Sequence, residues 1–135
     1  MGHVLVISGS RAFQVLLARL LHQQGHSTAV ARDGDEGFSA IVSERPSVVV
    51  LDLREADADS LLFHGLLRKR YPALPVLSLV ADQLRLCDGP RDIILEPTAA
   101  DQRTGHPVIA ALRRLVDEVV TSASLRTWRP APGLA

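Results

Sequence analysis

Two short runs of uninterrupted aliphatic residues, Val4-Leu5-Val6-Ile7 and Val48-Val49-Val50-Leu51, constrain this chain more than any other feature. Neither alternates polar with apolar positions, so each reads as a strand buried on both faces, as in a parallel sheet covered by helices. The segments between them carry helical spacing instead. Phe13, Leu16, Leu17, Leu20 and Leu21 share one helix face from Arg11 onward, with Ser10 placed to cap the N-terminus and Gly25 to stop the helix. His26 to Ala31 reads as a second strand, Gly34 to Glu44 as a second helix and Ser47 to Leu53 as a third strand, an order of βαβαβ.

A third helix over Ser60 to Tyr71 is stopped by Pro72, and a fourth strand over Val76 to Ala81 follows Pro75. The stretch from Asp82 to Arg91 is too short for a helix with its loops and contains Gly89-Pro90, so one helical turn or an irregular loop is expected there. A short fifth strand over Asp92 to Leu95 comes next. The last helix opens at Pro107 and turns Val108, Ile109, Leu112, Leu115, Val116 and Val119 toward the sheet. The predicted class is α/β, a doubly wound five-stranded parallel sheet of order 2-1-3-4-5 with a shortened or missing fourth helix. It occupies residues 1–123, and 124–135, rich in Pro, Arg and Gly, is expected to be a flexible tail or linker.

With 135 residues, 47% of them apolar, the chain has the size and composition of one domain around one core. Fifteen Lys plus Arg balance fifteen Asp plus Glu, so no overall field draws it to nucleic acid or to an anionic membrane, and direct binding to either is not expected. The longest apolar stretches are strand-length, no signal-type segment opens the chain and Cys87 has no partner cysteine, so the cytoplasm is the expected compartment.

The strand ends in order are Ser8-Gly9, Asp52, Val80-Ala81 and Glu96-Pro97. Together with Ser47-Val-Val-Val-Leu-Asp52-Leu53, Arg32-Asp33-Gly34-Asp35-Glu36-Gly37 and Pro75-Val76, they resemble the receiver domain of response regulators, over Val4 to about Val120. The resemblance implies a flavodoxin-like receiver sheet. It also implies a site in which a strand-three aspartate accepts a phosphoryl group, an acidic pair after strand one helps hold Mg²⁺, a Thr or Ser ends strand four and a lysine precedes a proline after strand five. Only the aspartate is matched here, by Asp52. The acidic pair falls on Ser8 and Gly9, the hydroxyl on Val80, the lysine on Glu96 and the family's aromatic switch position on Ile93.

Those departures dismantle the chemistry that the resemblance implies. A hard dication wants carboxylate oxygens, and Ser8-Gly9 offers a hydroxyl and a backbone. Glu96 in place of a cation turns an attraction into a repulsion, each worth about 3 kcal/mol at about 5 Å and an effective dielectric of about 20. Val80 has no hydroxyl for a phosphoryl oxygen, and Ile93 no polar tip with which to follow it. Asp52 with Glu55 or Glu96 makes a weak metal cage, so Asp52, Ser8, Gly9, Val80 and Glu96 read as a degenerate phosphoacceptor site, with Arg54 or a water to neutralise Asp52. No catalytic residue, cofactor or metal is expected.

Other chemistry is weakly signalled. Ser8-Gly9-Ser10 precedes a helix, yet the chain has neither Gly-x-Gly-x-x-Gly nor Gly-Lys-Ser/Thr, so a turn with an N-cap outweighs a phosphate cradle. It also lacks the Gly-x-Ser-x-Gly elbow of a serine hydrolase. His22 and His26 straddle a helix end and make a poor metal pair, and Cys87 reads as a small apolar side chain. Trp128 is either a loose aromatic in the tail or its docking anchor.

The expected function is therefore a phosphorylation-independent, receiver-like signalling or regulatory module that is not an enzyme and works by binding a protein partner or a second copy of itself. Residues 126–133 allow for a following output domain, which would make the chain the N-terminal part of a transcriptional response regulator. The alternative is a conventional aspartyl-phosphate receiver, phosphorylated at Asp52 in a two-component phosphorelay. With the fourth helix curtailed, Ile93, Leu95, Ile109, Leu112 and Val116 are the expected interface of a symmetric dimer.

Overall fold

The computed structural model describes residues 2–54, 58–81 and 83–123. The expected tail 124–135 with Trp128, and also Glu55 and Asp82, lie outside the described residues. Strands and helices alternate as β1 His3–Ile7, α1 Arg11–Gln23, β2 Ser27–Ala31, α2 Gly34–Glu44, β3 Val48–Asp52, α3 Ala58–Arg70 and β4 Val76–Val80. Then come β5 Gln83–Asp88, β6 Arg91–Leu95, the single turn α4 Ala99–Gln102 and α5 Pro107–Ala123. They build a sheet of order β2-β1-β3-β4-β5-β6, parallel from β2 to β4 and antiparallel across β4-β5 and β5-β6. This is the doubly wound, flavodoxin-like receiver architecture, mostly parallel, with six strands among the described residues in place of the expected five.

The extra strand corrects the expectation of a helical turn or irregular loop after β4. Val80 pairs with Gln83 across a two-residue connection in which Ala81 takes a positive φ of 54°, and Asp88 pairs with Arg91 across Gly89-Pro90, where Gly89 has φ 59°. A glycine in the left-handed region at the first position of a two-residue loop suits a hairpin whose twist matches its strands. The first four residues of β5 alternate exposed and buried, which turns Leu84 and Leu86 into the core under α5. The strand expected beside β4 is consequently moved one place outward and becomes β6, the sheet's edge.

Two apolar layers sandwich the sheet. On one face α1 and α5 cover Val4, Val6, Val48, Val50, Leu77 and Leu84. Leu112 and Val116 of α5, expected on an interface, are fully buried in this layer, because α5 lies against the strands with its apolar stripe inward; Ile109 packs at the margin. On the other face α2 and α3 close over Leu5, Ile7, Val49, Leu51 and Val76. A Cβ on Gly37 would come within 2.8 Å of Ile7 Cδ1, so this glycine sets how closely α2 approaches the sheet. The one-turn α4 is held by a capping box between Thr98 and Asp101 and by Arg114 Nη2, which donates to Asp101 Oδ2 at 3.0 Å.

Helix α3 leans toward the hairpin, where Arg68 Nη2 donates to Gly89 O at 2.7 Å. In this contact His64 is partly buried and its Nε2 has no hydrogen-bond partner. Burial, then the charges of Arg85 and Arg68, push the imidazole below its ordinary value, against a smaller opposing effect of Asp92. The folded state thus prefers neutral His64 and the unfolded chain takes the proton first, so the contribution to stability is whole above about pH 6.5 and is lost as pH falls from there through the folded value. We predict that urea midpoints of the wild type drop between pH 7 and pH 5.5, and that His64→Phe loses less over that range. An equal drop in both proteins would remove His64 from the explanation.

Candidate functional site

Asp52 closes β3, and its side chain is 8% exposed. Four donors surround the carboxylate. Arg54 spans both oxygens, with Nε donating to Oδ1 and Nη2 to Oδ2, each at 2.9 Å; its backbone N–H adds a bond to Oδ1 at 3.1 Å, and Ser8 Oγ donates to Oδ2 at 2.7 Å. A bidentate guanidinium matches the geometry of a carboxylate in a way that a lysine cannot. Arg54 is itself held from the far side, its Cζ lying 4.4 Å from the centre of the Phe13 ring on α1.

The donors are in place because the loop after β1 is built around them. Ser8 is 2% exposed, and its Oγ also accepts the N–H of Ser10 at 3.0 Å. Ser10 in turn caps α1 by accepting from Phe13 N, as expected. Gln14, which the sequence reading passed over, is buried and donates from Nε2 to Ser8 O at 2.6 Å, tying α1 to the end of β1. Its position three and seven residues before the buried Leu17 and Leu21 is the signal that marked it as inward-facing.

The balance of charge follows from these contacts. Burial is the largest single influence on Asp52 and raises its pKa. The Arg54 side chain, the Ser8 hydroxyl and the Arg54 amide together outweigh burial and hold the carboxyl below its ordinary value. Asp52 is an ionised group with its charge already compensated.

Ser8, Gly9, Asp52 and Val80 are gathered at one end of the sheet, as expected; a Cβ on Gly9 would meet nothing within 4 Å, and Val80 is exposed at the end of β4. Glu96 is not beside them, which corrects the expected repulsion. It follows β6, so β4 and β5 separate it from β3, and three strand spacings amount to about 14 Å. The cation absent at position 96 is supplied at position 54. Ile93 likewise stands on the edge strand, far from a switch position. Glu55 lies outside the described residues.

These residues do not fit the Mg²⁺ that a receiver site implies. The neighbouring strand end brings a hydroxyl where carboxylates are needed, and a guanidinium already neutralises the one acidic ligand. Among the described residues no three His, Cys, Asp or Glu are grouped to hold a metal ion. Beside the pair a groove of about 1180 Å³ runs between α2 and α3, its walls including Arg32, Asp33, Phe38, Leu62 and Leu66.

A mostly parallel sheet wound on both faces, with a buried carboxylate at the end of its third strand, is receiver-domain-like in fold, and the sequence relatives found are response regulators. The chain is 38% identical over 78 residues to the response regulator MprA of Mycolicibacterium vanbaalenii, a match covering 58% of this chain and 34% of that protein. The chain thus spans about a third of the length of the curated relatives it matches. In fold it is similar to a CheY-like receiver domain from Methanospirillum hungatei, with 11% identity, a TM-score of 0.64 and coverage of 93% of this chain and 98% of that one. The pseudo-receiver domain of the CikA protein is also similar, with 17% identity, a TM-score of 0.57 and coverage of 92% and 98%. No family model matches the chain. Among the described residues no helix is long and apolar enough to cross a membrane.

Proposed function

We propose that this chain is a phosphorylation-independent, receiver-like regulatory module that works by contact with a protein, either a second copy or another signalling component, and is not an enzyme. The observation that carries the reading is the occupation of both Asp52 oxygens by Arg54 and Ser8. A phosphoacceptor must offer a free lone pair to phosphorus and keep a dication nearby. Asp52 has its lone pairs engaged by donors and a guanidinium in the dication's place. Relatives that are response regulators, of which this chain spans about a third, support a place for the module as the regulatory part of a response regulator; a DNA-binding output domain beside it would make that regulator a transcriptional one.

Intact mass after incubation with Mg²⁺ and acetyl phosphate tests the reading. The expected spectrum is unchanged from that of the untreated protein. A stoichiometric phosphoryl adduct that disappears in Asp52→Asn would establish the conventional receiver instead.

A further inference from the structure

β6 forms one edge of the sheet, and its run 91–95 contains no proline and pairs with β5 without a bulge. Ile93 is 40% and Ile94 63% exposed. Open, aliphatic edge strands are templates for pairing with another chain, and proteins ordinarily blunt them with charge, proline or a bulge. Of the two charged residues of β6, Asp92 is spent internally, 2.6 Å from Arg85 Nε on the neighbouring strand, and Arg91 is exposed at the turn end. The opposite edge, β2, is Ser-Thr-Ala-Val-Ala and is packed against α1 and α2.

The direction of the main chain is fixed by the hairpin. The residues that close a two-residue turn form a hydrogen-bonded pair, and pairs then alternate, so Arg91, Ile93 and Leu95 direct their N–H and C=O groups to β5. Residues 92 and 94 direct theirs outward, where the described residues provide no further strand. A second strand docked there has main-chain groups to meet and two isoleucines to cover.

We propose that two copies of the chain join through β6, running antiparallel about a two-fold axis at Ile93. An axis perpendicular to the sheet keeps each side chain on its own face, which restricts the possible registers. Centring the pair on Ile94 sets Asp92 against Glu96 of the second copy, and centring it on Asp92 sets two aspartates together. Centring it on Ile93 opposes Ile93 with Ile93, Asp92 with Ile94 and Arg91 with Leu95, with no like charges directly opposite. About four main-chain hydrogen bonds then form between residues 92 and 94 of the two copies. A contact of five residues is much smaller than the roughly 800 Å² per partner of a standard interface, so micromolar or weaker self-association is expected. This pairing rests on the reading of the chain as a protein-binding module and names the partner and the surface.

Light scattering on the full chain, without phosphodonor, should show the mass doubling as concentration rises through the micromolar range. Ile93→Lys and Ile93→Glu should each remain monomeric, and an equal mixture of the two should regain the dimer mass, because the axis brings the two side chains at 93 together. As a second measurement, Ile93→Cys should cross-link as a dimer under mild oxidation and Ile94→Cys should not, since only the former lies opposite itself; this pair decides the matter if a charged variant loses its native circular dichroism. A monomer at every concentration, a dimer indifferent to charge at 93, or a mixture that stays monomeric overturns the pairing and leaves the Asp52 chemistry untouched. A phosphoryl adduct on Asp52 alongside a dimer of the stated behaviour overturns the phosphorylation-independent reading and leaves the pairing intact.

Discussion

Leu112→Ala lowers the free energy of unfolding by about 2–5 kcal/mol, the range for truncating a buried leucine in a core that relaxes only in part. For a domain of this size that corresponds to a fall in melting temperature of roughly 10 °C. Leu112 is 0% exposed and packs in the layer between α5 and the strands, so its loss leaves a void under the helix. Were it an interface residue, as the periodicity of α5 alone allows, truncation would weaken association and change the stability of the monomer by no more than about 0.5 kcal/mol. Urea unfolding at a fixed low protein concentration separates the two. Ile109→Ala, at the margin of the same layer, should cost distinctly less. A Leu112→Ala protein as stable as the wild type would mean that α5 does not seat as described.

The same helix shows where sequence reasoning reaches its limit. Its apolar positions are spaced as the 3.6-residue period requires, and Pro107 marked its first turn correctly. Periodicity identifies an inward face and says nothing about how much apolar surface remains for a partner; the expectation that a curtailed fourth helix leaves Leu112 and Val116 to a dimer fails because the sheet already covers them. The hairpin after β4 was legible but misread. Gln83-Leu-Arg-Leu alternates with a period of two, and Gly89-Pro90 is a turn before a second short strand. The receiver resemblance implies a helix at this place, and the local alternation outweighs it.

Misplacing one strand carried an error into the site. With Leu95 ending a strand next to β4, as expected, Glu96 falls near Asp52, and the expected repulsion depends on that proximity. An inserted antiparallel strand moves Glu96 away while leaving every local feature around it unchanged. What the sequence did contain was Arg54, two residues beyond Asp52, a spacing that lets a side chain and its own backbone amide reach the same carboxylate. The direction of a side chain leaving a strand end is not visible in spacing alone, and so Arg54 stood as one of two neutralising groups until the geometry selected it.

Arg54→Ala should therefore be the most informative substitution at the site. It removes two charge-assisted hydrogen bonds from Asp52 and leaves the Ser8 hydroxyl and the backbone amide of residue 54. Bonds of this kind contribute about 1.5–3 kcal/mol; with the Arg54 side chain 39% exposed, solvent screening brings the expected loss at neutral pH to about 1–2 kcal/mol. The pH dependence carries a clearer signature. In the wild type Asp52 titrates below its unfolded value of 3.8, so its contribution is present above that pH and is lost as pH falls through the folded value. Without the guanidinium, burial meets less opposition, the folded value moves up and the contribution shrinks or disappears. Acid unfolding of Arg54→Ala should then begin at a higher pH than that of the wild type, whereas in an Asp52→Asn background the same substitution should change little at neutral pH. An acid limb unmoved by Arg54→Ala, together with an unchanged midpoint at pH 7, would mean that the guanidinium does not hold Asp52 in solution, and the reason for treating the phosphoacceptor position as closed would go with it.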